Sequence, residues 1–165
     1  MPKYKYSESE AVQKPAAECL RKLGWQVEYC YDREILGAGG TLGREAYNDV
    51  LLERELKHAM LELNEWLTRA ECEQAISALK DTFTGSSLQD INESKYKMLR
   101  DGIPVKHTMP DGTTQTAHVQ VFDFEHPECN SFLATEELWI HSAYYKKRAD
   151  IVGFVNGVPL MFIEF

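Results

Sequence analysis

The stretch that most constrains this chain is its last sixteen residues, Asp150-Ile-Val-Gly-Phe-Val-Asn-Gly-Val-Pro-Leu-Met-Phe-Ile-Glu164-Phe165. Ile151 to Val155 and Val158 to Phe165 are apolar runs rich in β-branched and aromatic residues. The Asn156-Gly157 dipeptide between them accepts the positive φ angles of a tight turn, so the segment reads as a β-hairpin. Both runs are continuous rather than alternating, which suits strands covered on both faces at the centre of an α/β domain. Two carboxylates stand out against them, Asp150 where the first strand is expected to begin and Glu164 near the end of the second. Ionised carboxylates are costly in an apolar layer unless a cation or hydrogen-bond donors meet them.

With an ideal two-residue turn, Glu164 pairs with Ala149 and Asp150 points to the other face. One extra residue, for instance a bulge at Gly157, brings Asp150 directly across from Glu164. Pro159 has no N–H and fits beside such an irregularity. Opposed carboxylates a few Å apart repel by about 4 kcal/mol at an effective dielectric near 20, and a divalent cation reverses that term. Oxygen-only ligands with room for water suit Mg²⁺ better than Zn²⁺. The chemistry such a site supports is phosphodiester hydrolysis.

An Asp heading one strand, a hairpin, then an apolar strand ending in Glu resembles the PD-(D/E)xK nuclease superfamily. The longer run Arg148-Ala-Asp150-Ile-Val-Gly-Phe-Val-Asn-Gly-Val-Pro-Leu-Met-Phe-Ile-Glu164 is similar to the nuclease signature of the R (HsdR) subunit of type I restriction enzymes. Further matches are Leu23-Gly24-Trp25, Leu61-Glu-Leu-Asn64, Leu99-Arg-Asp-Gly102-Ile-Pro-Val, Val121-Phe-Asp123-Phe and Asn130-Ser-Phe, so the resemblance covers most of the chain. It implies a central mixed β-sheet flanked by helices, with Asp150 and Glu164 as catalytic metal ligands for Mg²⁺. An acidic residue near the N-terminal helix, Glu8 or Glu10, is a further candidate ligand, beside the plainer reading that it complements the helix dipole. Ala149 stands where the motif usually has proline. The family's lysine belongs two residues after Glu164, beyond Phe165. The expectation is therefore an N-terminal endonuclease domain over residues 1–165, incomplete at its C-terminal end and inactive by itself, with ATP-driven helicase motor domains following.

The resemblance also implies the partners: double-stranded DNA, and the methylation and specificity subunits of a restriction-modification complex in bacterial or archaeal cytoplasm. ATP would serve the full-length subunit only. Within this chain, Gly37-Ala-Gly-Gly40 and Gly43 lack the Gly-Lys-Ser/Thr of a phosphate loop and any G-x-G-x-x-G before a helix. No apolar run approaches transmembrane length, so no membrane partner is expected. Four cysteines, Cys19, Cys30, Cys72 and Cys129, without C-x-x-C spacing or a leader, fit a reduced compartment. The net charge of -8 argues against a strong autonomous grip on DNA, which comes from phosphate neutralisation. Lys146-Lys147-Arg148, just ahead of Asp150, is the candidate phosphate contact, or else a solvated strand end.

Elsewhere the periodicity predicts a helix ending at Gly24, with Pro15 in its first turn or kinking it, and Ala16, Cys19, Leu20 and Leu23 inward. A helix is expected over about Arg44 to Leu63. Another opens on the capping box Thr68-Arg-Ala-Glu71 with Cys72, Ala75, Ile76, Leu79 and Phe83 inward, and a third spans about Leu88 to Leu99. Strands are expected at Ile103 to Thr108 and Thr114 to Asp123 around Pro110-Asp111-Gly112, and at Glu136 to Tyr145. The histidines show no metal-ligand spacing on one element. Trp139, Tyr144 and Tyr145 suit base stacking or a sheet core equally. Two rival readings remain: a nuclease-like fold kept for docking or DNA binding, and an unrelated α/β protein whose Asp150 and Glu164 end strands at a solvated rim.

Overall fold

The computed structural model describes residues 9–81, 87–142 and 144–165. The chain divides into two units, Met1–Arg54 with Ser131–Phe165, and Glu55–Asn130. The first carries a four-stranded mixed sheet in the order β1-β4-β5-β6. Strand β1 (Gln26–Tyr29) runs parallel to β4 (Phe132–His141). Strands β5 (Lys146–Val155) and β6 (Val158–Ile163) continue the sheet antiparallel.

One side of this sheet is packed by α1 (Lys14–Lys22), with Pro15 in its first turn after a π-helical turn at Ser9–Gln13. Leu20 meets Ala134 and Ile151 there, joined by Ala16, Trp25, Val27, Met161 and Ile163. Ala17 is also buried, whereas Cys19 and Leu23 are exposed, so the inward face of α1 is narrower than its periodicity suggests. On the other side Leu133, Val152 and Phe154 pack with Cys30, Leu42 and Leu52. Those last three come from an irregular segment, not a helix.

The expected helix over Arg44 to Leu63 is present only as α2 (Glu53–Leu63). The reason is local hydrogen bonding. The Arg44 guanidinium is buried and makes a two-pronged ion pair with Glu34, at 2.8 and 2.6 Å. It also donates to the carbonyls of Tyr47, Asp49 and Trp139. The Asp49 carboxylate accepts from the amides of Glu45 and Ala46. Backbone groups of residues 45–49 thus bond to side chains, which competes with a helical ladder.

In the second unit, α3 (Arg69–Lys80) opens on the Thr68/Glu71 capping box and buries Cys72, Ala75, Ile76 and Leu79. Phe83 lies outside the described residues. Helix α4 (Leu88–Asp101) opens on a second capping box, Ser87 with Asp90, and stops at Gly102, which takes φ 94°. The hairpin of β2 (Ile103–Thr108) and β3 (Thr114–Val119) turns through Gly112 at φ 84°, with the Asp111 carboxylate accepting from the Thr113 amide.

Strand β3 ends at Val119, short of the expected Asp123, because Asn64 takes over the pairing. Its side-chain amide donates to the Gln120 carbonyl and its oxygen accepts from the Gln120 amide, both at 2.9 Å. Asn130 serves Asp123 in the same way, at 2.8 and 2.9 Å.

Three substitutions test these packing arguments. A Cβ on Gly153 would come within 2.6 Å of Met161 Cε and 2.9 Å of the Trp25 ring, so Gly153→Val should destabilise the first unit by roughly 1–3 kcal/mol in denaturant titration. Asn64→Ala strands two backbone groups and should cost the second unit about 2 kcal/mol or more. Asn64→Asp retains the acceptor but replaces the donating amide, and should recover only part of that loss.

Candidate active site

The hairpin turn is tight: Asn156 and Gly157 take φ 48° and 79°, and Val155 pairs with Val158. Asn156 is buried and exchanges bonds with Ser131, its side-chain oxygen accepting from the Ser131 amide at 2.7 Å and its backbone N–H donating to the Ser131 carbonyl at 2.9 Å. The extra residue is therefore not in the turn. It enters within β6: Phe154 pairs with Pro159 but Gly153 with Met161, leaving Leu160 as the bulge. From there Val152 faces Phe162 and Ile151 faces Ile163. The next step of this register sets Glu164 across from Asp150. The Asp150 Oδ2 accepts a hydrogen bond from the Phe165 amide at 2.9 Å.

Two expectations about these strands need correction. Asp150 does not open β5 but lies in its middle, because Lys146, Lys147 and Arg148 pair with His141, Ile140 and Trp139. Strand β4 accordingly runs from Phe132 to His141, earlier than the expected Glu136 to Tyr145. Nor is β6 covered on both faces. It is the edge of the described sheet, with Leu160 and Phe162 exposed at 55% and 60% beside an apolar groove of about 250 Å³ lined by Val50, Leu138, Ile140, Val152 and Phe154. Its outer face carries apolar residues without being buried by the described sheet.

The β4–β5 ladder breaks where Glu137 faces Asp150. Glu136 pairs with Ile151 and Leu138 with Ala149, but the pair between them is missing, and Glu137 takes φ 60°. Alternation slips in both strands at this point. Ile151 packs on the α1 side, whereas Ala149 and Leu138 join Val152 and Phe154 on the opposite side. Glu137 is buried and ion-paired with Arg148, whose guanidinium also lies 5.2 Å from the Tyr31 ring and 6.0 Å from the Trp139 ring. Sequence reasoning passed over Glu137. Its signal was a pair of acids, Glu136-Glu137, inside an otherwise apolar strand.

Lys146, Lys147 and Arg148 are all exposed, but Arg148 is committed to Glu137 and two aromatic rings. Trp139 is occupied similarly, its indole N–H donating to the Tyr31 carbonyl at 3.0 Å, while Tyr144 and Tyr145 are exposed. Glu8 and the side chain of Glu10 lie outside the described residues. Among the described residues no group of three or more His, Cys, Asp or Glu side chains is arranged to hold a metal ion, so Asp150 and Glu164 stand as a pair. No helix among them is long and apolar enough to cross a membrane.

A separate titratable contact occupies the second unit. The His107 Nδ1 lies 2.8 Å from Glu71 Oε1, with the Trp66 ring edge-on to the imidazole at 4.9 Å. Hydrogen bonding from the Thr68 backbone, opposed by desolvation and aided by the Thr68 hydroxyl and His107, holds the Glu71 carboxyl down at about 2. A depressed carboxylate contributes stability that is complete above its unfolded pKa, near 4.3, and is lost as pH falls through the folded value. The unfolding midpoint should therefore fall between pH about 4.5 and 2. In Glu71→Gln that part of the slope should be absent in a pH series of denaturant melts.

A family model described as "Type I restriction enzyme R protein N terminus" matches residues 5–165. The chain is 36% identical over 149 residues to the type I restriction enzyme HindI endonuclease subunit of Haemophilus influenzae, covering 88% of this chain and 14% of that protein. It is 29% identical over 167 residues to a protein of Methanocaldococcus jannaschii provisionally named as the type I restriction enzyme MjaIXP endonuclease subunit, covering 98% of this chain and 15% of that protein. The chain thus spans about one seventh of the length of these relatives.

Proposed function

The chain belongs to the family of type I restriction enzyme R protein N termini, and we propose that it is the endonuclease domain of such a subunit, with a PD-(D/E)xK core that hydrolyses phosphodiester bonds of double-stranded DNA. The observation that supports this reading is the β5–β6 register: the bulge at Leu160 pairs Ile151 with Ile163, and continued by one residue that register would put Glu164 across from Asp150. A tight turn with no bulge would instead have put Ala149 opposite Glu164.

The donor set fits a hard cation. Two carboxylates are oxygen-only donors of the kind Mg²⁺ takes up, and among the described residues no third His, Cys, Asp or Glu side chain joins them. Asp150 and Glu164 would hold the ion, which when bound supplies Lewis-acid polarisation of the scissile phosphate. The Phe165 amide, donating to Asp150 Oδ2, leaves the other carboxylate oxygen of Asp150 available as a ligand and fixes the rotation of the group. A lysine two positions beyond Glu164 would complete the motif by orienting the attacking water. Lys146 and Lys147, exposed at the start of β5, would meet phosphates more readily than Arg148, which is already paired.

ATP binding and translocation belong in this reading to the remaining length of the subunit. Sequence recognition and methylation belong to its partner subunits, in the cytoplasm of a bacterium or archaeon. With a net charge of -8 the domain would depend on those other parts to hold DNA.

The test uses the full-length subunit in its complex. Asp150→Ala should lower the DNA cleavage rate by at least about 10²-fold, since it removes a ligand of the cation that would offset charge developing on the phosphate, while ATP-driven translocation continues. Cleavage that survives the substitution would remove Asp150 from the site. A parent subunit that translocates but never cuts would favour a nuclease-like fold kept for docking.

A further inference from the structure

Glu137 is in a conformation its side chain does not favour. A residue with a Cβ is strained at φ 60°, and such positions persist only where the surroundings over-determine them. Here the surroundings are the ion pair with Arg148 and the Tyr31 and Trp139 rings beneath that guanidinium. The consequence falls on Asp150, which faces Glu137 and is the one residue between Ile151 on the α1 side and Ala149 on the opposite side. Irregularities of this kind re-aim a side chain beside a functional position.

Arg148 is two residues from Asp150 on the same strand and is the cation nearest to it in sequence. A guanidinium free to reach the Asp150 carboxylate would neutralise the charge a divalent cation needs. Glu137 occupies that guanidinium from the neighbouring strand. We infer that Glu137 is a positioning residue for the Asp150–Glu164 pair, holding Arg148 away from Asp150. This rests on the reading of that pair as a metal site.

The test measures Mn²⁺ binding to the full-length subunit by calorimetry, without nucleotide, alongside a thermal melt for each variant. Glu137→Gln frees Arg148 and should weaken Mn²⁺ binding by roughly tenfold to a hundredfold, the usual effect of losing a partner that orients a metal ligand. Arg148→Gln removes the competing cation and should leave binding unchanged or tighter. The double variant Glu137→Gln/Arg148→Gln should return to within about threefold of the parent. An ion pair with only a structural role would make the two single variants alike and give no recovery in the double.

Unchanged binding in Glu137→Gln, equal weakening in both single variants, or no recovery in the double variant would each overturn the inference. If Glu137→Gln does not fold, Arg148→Gln decides alone: unchanged or tighter binding supports the inference, and tenfold weakening overturns it. Asp150→Ala separates this from the reading beneath it. Mn²⁺ binding that persists without Asp150 means the carboxylate pair is not the metal site, and the inference falls with it. Binding lost in Asp150→Ala but untouched in Glu137→Gln leaves the metal site standing and removes Glu137 alone.

Discussion

The guanidinium of Arg44 fastens the irregular segment to the sheet on the face opposite α1. With side chains 1% and 2% exposed, Arg44 and Glu34 form an ion pair that has lost its water on both partners. Such a pair is tolerable only where further hydrogen bonds complete the geometry. Arg44 supplies them by donating to Tyr47, Asp49 and the β4 carbonyl of Trp139. The irregular segment is thereby fastened to the sheet, and Leu42 and Leu52 are carried into the core beside Phe154. A helix over residues 44–52 would have needed the same carbonyls for its own ladder.

Two departures from regular pairing govern the candidate site, and they act at different edges of β5. On the β6 side the bulge at Leu160 shifts the register by one residue, so that Ile151 pairs with Ile163 and Glu164 follows next in line with Asp150. On the β4 side the left-handed Glu137 removes one rung and reverses the alternation. Asp150 sits between them. A strand with full ladders on both edges would have kept its carboxylate in strict alternation with Ile151 and Ala149.

Several residues shared with the family resemblance are structural. Asn64 and Asn130 each bond with both side-chain oxygen and side-chain amide to the backbone, at Gln120 and Asp123 respectively, and Asn156 accepts from the Ser131 amide with its side-chain oxygen while its backbone N–H donates to the Ser131 carbonyl. A side-chain amide presents the same donor and acceptor as a peptide unit, so it can extend a pairing where no strand runs. Aspartate lacks the donor and alanine lacks both. The resemblance therefore reports a backbone framework as much as a reaction.

Local chemistry in the sequence determined a great deal. The turn at Asn156-Gly157, the Thr68/Glu71 capping box, the stop at Gly102 and the hairpin around Asp111-Gly112 all depend on residues within a few positions of one another. So does the prominence of Asp150 and Glu164, two charges in apolar runs. Tertiary structure alone decided where the extra residue of the hairpin sits, because a bulge at Gly157 and one at Leu160 yield the same facing pair. It also decided that residues 44–52 are not helical, since that depends on a guanidinium finding a carboxylate ten residues away and a carbonyl on β4. Glu137 escaped the sequence reading for the same reason: its conformation and burial follow from an arginine on the adjacent strand, and strand pairing over such separations leaves no local periodicity to read.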